Sequence, residues 1–272
     1  MMTIIDTAEK LLDLIKDSSI WIYGAGHIGS QFADVLIKHG LSAKIKGYVV
    51  SNMESIGVKK GVYAIDQVKI KDEDVICVAV HDTCKNEIIS ILEKRGHTNY
   101  IWVYPFLYDL MYGNPIFESQ WIYVYEVLPP LRDRYGISIR WSAIDEFYGK
   151  NNWGFDIYRK AMAPYCTPEK LNNRVEGFKK MIADWEINGY DERSIISINK
   201  NYEIIDGEHR VTLAIYHGQD RIKCRIYDGN KVLMTEEQLI KYGFQEQEID
   251  RLTKINEIIE KRVFKCRTYD SE

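Results

Sequence analysis

The sequence predicts an α/β protein: a parallel-sheet domain first, then an α+β domain, then C-terminal helices. Three observations predict it. Between Ile20 and Val103, short apolar runs alternate with helical stretches, the pattern of strands laid parallel by crossover helices. Between Ser194 and Tyr227, a strand, an Asp-Gly break, an apolar helix ending in Gly and a further strand follow one another. After Gly229 the chain turns charged, with apolar residues at helical spacing. The boundaries read as 1–110 for the first domain, 111–135 for a connector, 136–232 for the second domain and 233–272 for a helical extension.

Composition narrows the function classes. The chain has 272 residues, 46% of them apolar, and a net charge of −4. That length suits one large or two ordinary domains with a real core. The charge gives no electrostatic case for nucleic acid, and no basic helix-turn-helix region is visible. The five Cys are scattered without a CxxC pair, which argues against structural zinc and suits a reducing cytoplasm. The N-terminus is an amphipathic helix with interspersed acids, unlike a signal peptide. No apolar run reaches ~18 residues, so no membrane helix is expected.

In the first domain, Ile20–Tyr23 is a buried strand and Gly24-Ala25-Gly26-His27-Ile28-Gly29 follows it, opening a helix that stops at Gly40. This is GxGxxG in its required setting. Gly24 permits the tight turn, Gly26 lets a phosphate approach the backbone, and Gly29 lets helix and strand pack closely. Lys46–Val50 is the second strand. A dinucleotide-binding Rossmann domain places an acid at its end for the ribose; here stand Ser51 and Asn52, with Glu54 further on. Val75–Val80 is a third strand, its exit His81-Asp82-Thr83 opening a helix over Cys84–Arg95, and Tyr100–Val103 is a fourth. His27 and His81 lie near the expected ligand mouth, where a water-exposed helix-start His is the simpler account.

The segments IYGAGHIG, KGYVVSN, GVYAID, VICVAV and ILEKRGHTNYI resemble the small Rossmann-like domains attached to sugar-modifying enzymes of bacterial surface-polysaccharide clusters. The resemblance implies a nucleotide-sugar or NAD at Gly24, Gly26 and Gly29, or a structural role for the loop. Hydride transfer is disfavoured, since no Tyr-x-x-x-Lys pair stands where an epimerase or dehydratase needs it.

Pro105–Pro130 is aromatic and reads as a connector that also supplies a homodimer contact. Gly136–Ile144 alternates partially and reads as a strand, followed by Asp145-Glu146. Asn151–Arg159 reads as a loop closing over a site, with Trp153 and Phe155 stacking on a ligand or packing beneath the loop. Glu169–Asn188 is a long helix with a core stripe, from which Arg174 points elsewhere as a second phosphate ligand. Thr235-Glu236-Glu237 starts a helix, and Glu246–Arg262 forms another.

The centre of the second domain is YEIIDGEHRVTLAIYHG, Tyr202–Gly218. Asp206, Gly207, Glu208, His209 and Arg210 sit where a strand turns into a helix. The first N–H groups of a helix lack internal partners and carry partial positive charge, so an anion is favoured there. Arg210 suits a phosphate clamp, and Asp206 and Glu208 suit a metal or a substrate hydroxyl. The plainer alternative is a cap at Asp206 and surface charges beyond it.

Ser194–Tyr227 resembles the central unit of the ParB/sulfiredoxin superfamily, which carries "iiDGxHR" between a hairpin and a helix; the likeness spans about a third of the chain, Arg140–Tyr227. Sulfiredoxins have a catalytic Cys where this chain has Glu208, which argues against sulfinic acid repair. ParB proteins match at Gly207, Glu208 and Arg210. Free serine kinases match at Asp206, Gly207, His209 and Arg210. The resemblance implies ATP or CTP phosphates on Gly207–Arg210 with Mg²⁺ on Asp206 or Glu208. It further implies phosphotransfer to a small hydroxyl compound such as serine, an amino alcohol or a sugar, with His209 assisting and Glu146 (Asp145 second) as base. A non-catalytic nucleotide or nucleotide-sugar module and an NAD-dependent sugar oxidoreductase or epimerase are the alternatives.

Overall fold

The computed structural model describes residues 5–53, 60–81, 84–165, 168–229 and 234–269. Glu54, Asp82 and Thr83, named above, lie outside them. The chain divides into two compact units, Met1–Asn114 and Pro115–Glu272.

The first unit holds a five-stranded sheet, β1 (Ile20–Tyr23), β2 (Ile45–Val50), β3 (Val62–Ala64), β4 (Val75–Val78) and β5 (Tyr100–Trp102), in the order β3-β2-β1-β4-β5. Every pairing is parallel, so the chain needs a crossover between strands. Its helices are α1 (Ala8–Ile15), α2 (His27–Lys38), α3 (Lys85–Lys94) and α4 (Leu107–Tyr112). Successive residues of a strand face opposite sides, and this splits the core in two. Ile20, Ile22, Val75 and Cys77 pack with Leu11, Phe32, Leu36 and Leu107. Trp21, Tyr23, Ile76 and Val78 pack with Ile88 and Leu92. A sheet covered on both faces explains why its strands read as unbroken apolar runs.

The second unit holds β6 (Phe117–Tyr123), β7 (Ile196–Asn199), β8 (Ile204–Asp206) and β9 (Arg221–Tyr227) in the order β6-β9-β7-β8. β6 and β9 are antiparallel, β9 and β7 parallel, β7 and β8 antiparallel. Its helices are α5 (Tyr135–Phe147), α6 (Gly154–Met162), α7 (Pro168–Asn188), α8 (Glu208–His217), α9 (Glu236–Lys241) and α10 (Glu246–Tyr269). Ile196, Ile198, Ile222 and Cys224 from the sheet meet Ile139, Phe178, Leu213 and Leu252 from the helices in one core.

Three expectations are corrected here. Gly136–Ile144 is the heart of helix α5, not a strand. All residues from Tyr135 to Ile144 are buried, so this stretch has no solvent face, and a helix buried on all sides cannot be told from a buried strand by period. Asn151–Arg159 is a helix start, not a closing loop. Asn151 Oδ1 accepts from the N–H groups of Trp153 and Gly154 and so satisfies the turn that opens α6. A Cβ on Gly154 would lie 1.9 Å from the Ser142 carbonyl oxygen, so glycine lets α6 begin against α5. The segment 111–135 is more than a connector, for it contains β6, an edge strand of the second sheet. The C-terminal helices pack into their own unit: Leu252, Ile255 and Ile259 of α10 belong to its core.

Candidate functional site: an arginine-lined helix start

The turn between β8 and α8 is built around Gly207, which takes φ +105° and stands as N-cap of α8. A Cβ there would be 3.1 Å from the Ile196 side chain and 3.0 Å from Arg210 Nη2. Glycine therefore both reverses the chain and seats it on β7. Gly207 has no side chain with which to cap α8, and the start of a helix carries partial positive charge.

Each flanking side chain has a distinct partner. Arg210 Nη1 donates to Ser194 Oγ (2.7 Å) and to the Ile195 carbonyl (3.1 Å), and Nη2 makes a long contact with the Asp206 carboxylate at 3.4 Å. Glu208 turns the other way. Its Oε2 pairs with Arg140 Nη2 at 2.8 Å, against the first turn of α5. A Cβ on Gly136 would lie 2.6 Å from Glu208 Oε1, so that glycine clears the carboxylate's path. Arg140 is 4% exposed and donates from Nη1 to the Gly136 carbonyl at 2.7 Å. Its Nε is buried with no hydrogen-bond partner among the described residues.

His209 Nε2 lies 2.8 Å from the Tyr158 hydroxyl, and its ring meets Phe178 edge-on at 4.6 Å. Dense packing around the imidazole pushes its pKa well below the ordinary value, and the charges of Arg140, Arg174 and Arg210 push it further down. The imidazole is thus held neutral. Arg174 lies on α7, and its charge is felt at the His209 imidazole.

Glu146 is not brought to the turn's arginines. Its Oε2 accepts from the Phe155 N–H at 2.6 Å, so it caps α6. Asp145 accepts from the Tyr216 hydroxyl at 2.8 Å. Among the described residues no three His, Cys, Asp or Glu gather as a metal site. Glu208 is spent on Arg140, whereas Asp206 keeps a partly exposed carboxylate with one long contact.

Arg140, Tyr158 and Gly136 complete the site and were not singled out from the sequence. Arg140 carried a signal: one charge inside GISIRWSAI requires a buried counter-charge.

The glycine loop of the first unit follows the carboxyl end of β1, which lies between β2 and β4, where the strand order reverses. A Cβ on Gly24 (φ +108°) would be 2.8 Å from the Ala79 carbonyl oxygen, and one on Gly29 1.9 Å from that of Gly24. These two glycines are required by packing. A Cβ on Gly26 would meet nothing within 4 Å, and Gly26 as N-cap offers α2 no side-chain cap. At the end of β2, the Ser51 hydroxyl bonds the Tyr23 hydroxyl, a neutral pair where a ribose-binding acid was sought. His27 and His81 are exposed, and His81 lies against Tyr104.

No helix among the described residues is long and apolar enough to cross a membrane. No protein-family model matches the chain, and neither does any curated protein or solved structure.

Proposed function

We propose that the second unit binds the phosphates of a nucleotide, ATP or CTP, at the start of α8. The observation that carries the reading is the start of α8 at Gly207, with the Arg210 guanidinium in its first turn beside the partly exposed Asp206 carboxylate. A guanidinium beside a helix N-terminus favours an anion such as a phosphate. The arrangement supports a ParB/sulfiredoxin-like reading of this unit and a Rossmann-like reading of the first.

The stronger form of the proposal is a Mg²⁺-dependent phosphotransferase acting on a small hydroxyl compound in surface-polysaccharide precursor metabolism. Such transfer is largely positioning and charge stabilisation. Asp206 fits as the residue that would hold Mg²⁺, which would offset phosphate charge. Glu208 does not, because leaving Arg140 would strand a buried charge. Glu146 would have to leave α6 to act as base, so binding is better supported than turnover. A second reading, a nucleotide-sugar or NAD at Gly24–Gly29, is favoured by the open space at Gly26.

Thermal shifts with Mg²⁺ plus ATP, CTP, NAD⁺ or a UDP-sugar test both readings on wild type, Arg210→Lys and Gly26→Asp. A ligand at a hundredfold excess over its Kd stabilises by about 2.7 kcal/mol. ATP or CTP stabilising the wild type and Gly26→Asp, but not Arg210→Lys, supports the α8 site. Stabilisation by NAD⁺ or a UDP-sugar alone, lost in Gly26→Asp, overturns it. Mg²⁺-dependent nucleotide consumption that rises with L-serine or another acceptor separates transfer from binding.

A further inference from the structure

We propose that the amino end of the first unit's sheet carries a site for an acidic amino acid, a dicarboxylate bearing one ammonium. A cavity of about 270 Å³ lies there, lined among others by Trp21, Lys46, Lys69, Lys71, Glu73 and Asp74. Trp21 belongs to β1, Lys46 to β2, and Asp74 directly precedes β4. The glycine loop follows the carboxyl end of β1, so this cavity is at the other end of the parallel sheet.

The cavity wall is built rather than incidental. Trp21 Nε1 donates to Asp74 Oδ2 at 3.2 Å, and Tyr63 meets the indole edge-on at 6.2 Å. Gly47 (φ +153°) makes room, since a Cβ there would lie 3.4 Å from the indole ring and 3.0 Å from the Gly61 carbonyl oxygen. Asp74 is 6% exposed. Its Oδ2 also accepts from the Lys71 N–H at 3.1 Å, and Asn99 Nδ2 anchors its carbonyl at 2.8 Å. Among the described residues Oδ1 has no hydrogen-bond partner. Asp74 therefore lines the cavity as a fixed carboxylate with one oxygen uncommitted.

The charges select the ligand. Lys71 Nζ pairs with Glu73 at 3.3 Å. That leaves Lys46 and Lys69, without ion-pair partners among the described residues, lining the same cavity as Asp74. Two ammonium groups and one carboxylate complement two carboxylates and one ammonium. The size points the same way, because pockets for drug-sized ligands run from about 300 Å³ upward. The indole supplies an apolar surface for the short methylene chain between the ligand's acid groups.

Isothermal titration of the full chain with L-glutamate tests the proposal, with glutarate as the probe lacking the ammonium. Both lysines are exposed, so Lys46→Glu/Lys69→Glu keeps the fold, as its far-UV spectrum and melting will verify. The expected result is one L-glutamate per chain with Kd below about 1 mM. Affinity should fall by at least about tenfold, the worth of one charge-assisted contact, in the double variant and for glutarate alike. Absence of saturable binding up to about 10 mM overturns the site. Equal affinity in the double variant overturns its location. Glutarate binding as tightly as glutamate overturns the role of Asp74 and with it the ligand class.

Discussion

A Cβ on Gly29 would lie 1.9 Å from the Gly24 carbonyl oxygen, and one on Gly154 1.9 Å from that of Ser142, while Gly26 faces open space. These three glycines therefore respond differently to the same substitution. Gly29→Ala and Gly154→Ala each force backbone apart and are expected to cost about 1–3 kcal/mol. Gly26→Ala is expected to stay within about 0.5 kcal/mol of wild type. Urea unfolding midpoints check all three. The Arg140–Glu208 pair gives a second prediction. Glu208→Gln leaves a buried guanidinium without its counter-charge and should destabilise by about 3–5 kcal/mol. Arg140→Met together with Glu208→Met should recover much of that loss, since both charges then go. A double-mutant cycle reads the coupling.

At the level of helices, Glu146 and His209 each tie one element to another. Glu146 accepts from the first turn of α6, so Glu146→Ala should cost about 1 kcal/mol as a lost cap, with or without any effect on turnover. A stability loss with unchanged nucleotide consumption would identify it as a cap alone. His209 makes folding pH-dependent. Its folded pKa is depressed, so the unfolded chain binds the proton first as pH falls. Stability is complete above the unfolded value, about 6.5, and declines below it, by at most about 1.4 kcal/mol per pH unit. His217 is shifted the same way, chiefly by desolvation. Urea midpoints at pH 7 and pH 5.5 should therefore differ, and His209→Gln should reduce the difference without abolishing it.

Across the whole chain, two units with separate cores imply two separable stabilities. Gly29→Ala should raise hydrogen exchange in residues 5–114 and leave both the protection of α5 and α8 and any nucleotide-induced shift at α8 unchanged. Equal loosening of α5 and α8 would show that the units unfold together.

How much of this was legible in the residues varies with the kind of signal. Ile20–Tyr23, the glycine loop and the helix stopped by Gly40 were readable because glycine positions and short apolar runs are local rules. The same holds for Ile204–Asp206, Gly207 and the helix closed by Gly218, whose φ of +74° only glycine takes easily. The α5 helix was not readable. Its ten buried residues erase the polar face that would have marked its period, and only packing on all sides selects helix over strand. The site divides along the same line. Asp206–Arg210 and Arg174 were visible as residue types at a helix start and on a helix flank. The direction of each carboxylate was not: Glu208 turns to Arg140, and Glu146 to the α6 backbone, because partners distant in sequence claim them. Local propensity thus determined where the chain turns and which side chains gather at the turn. The three-dimensional packing decided which of those charges are already paired, since pairing depends on neighbours that only the folded chain brings near.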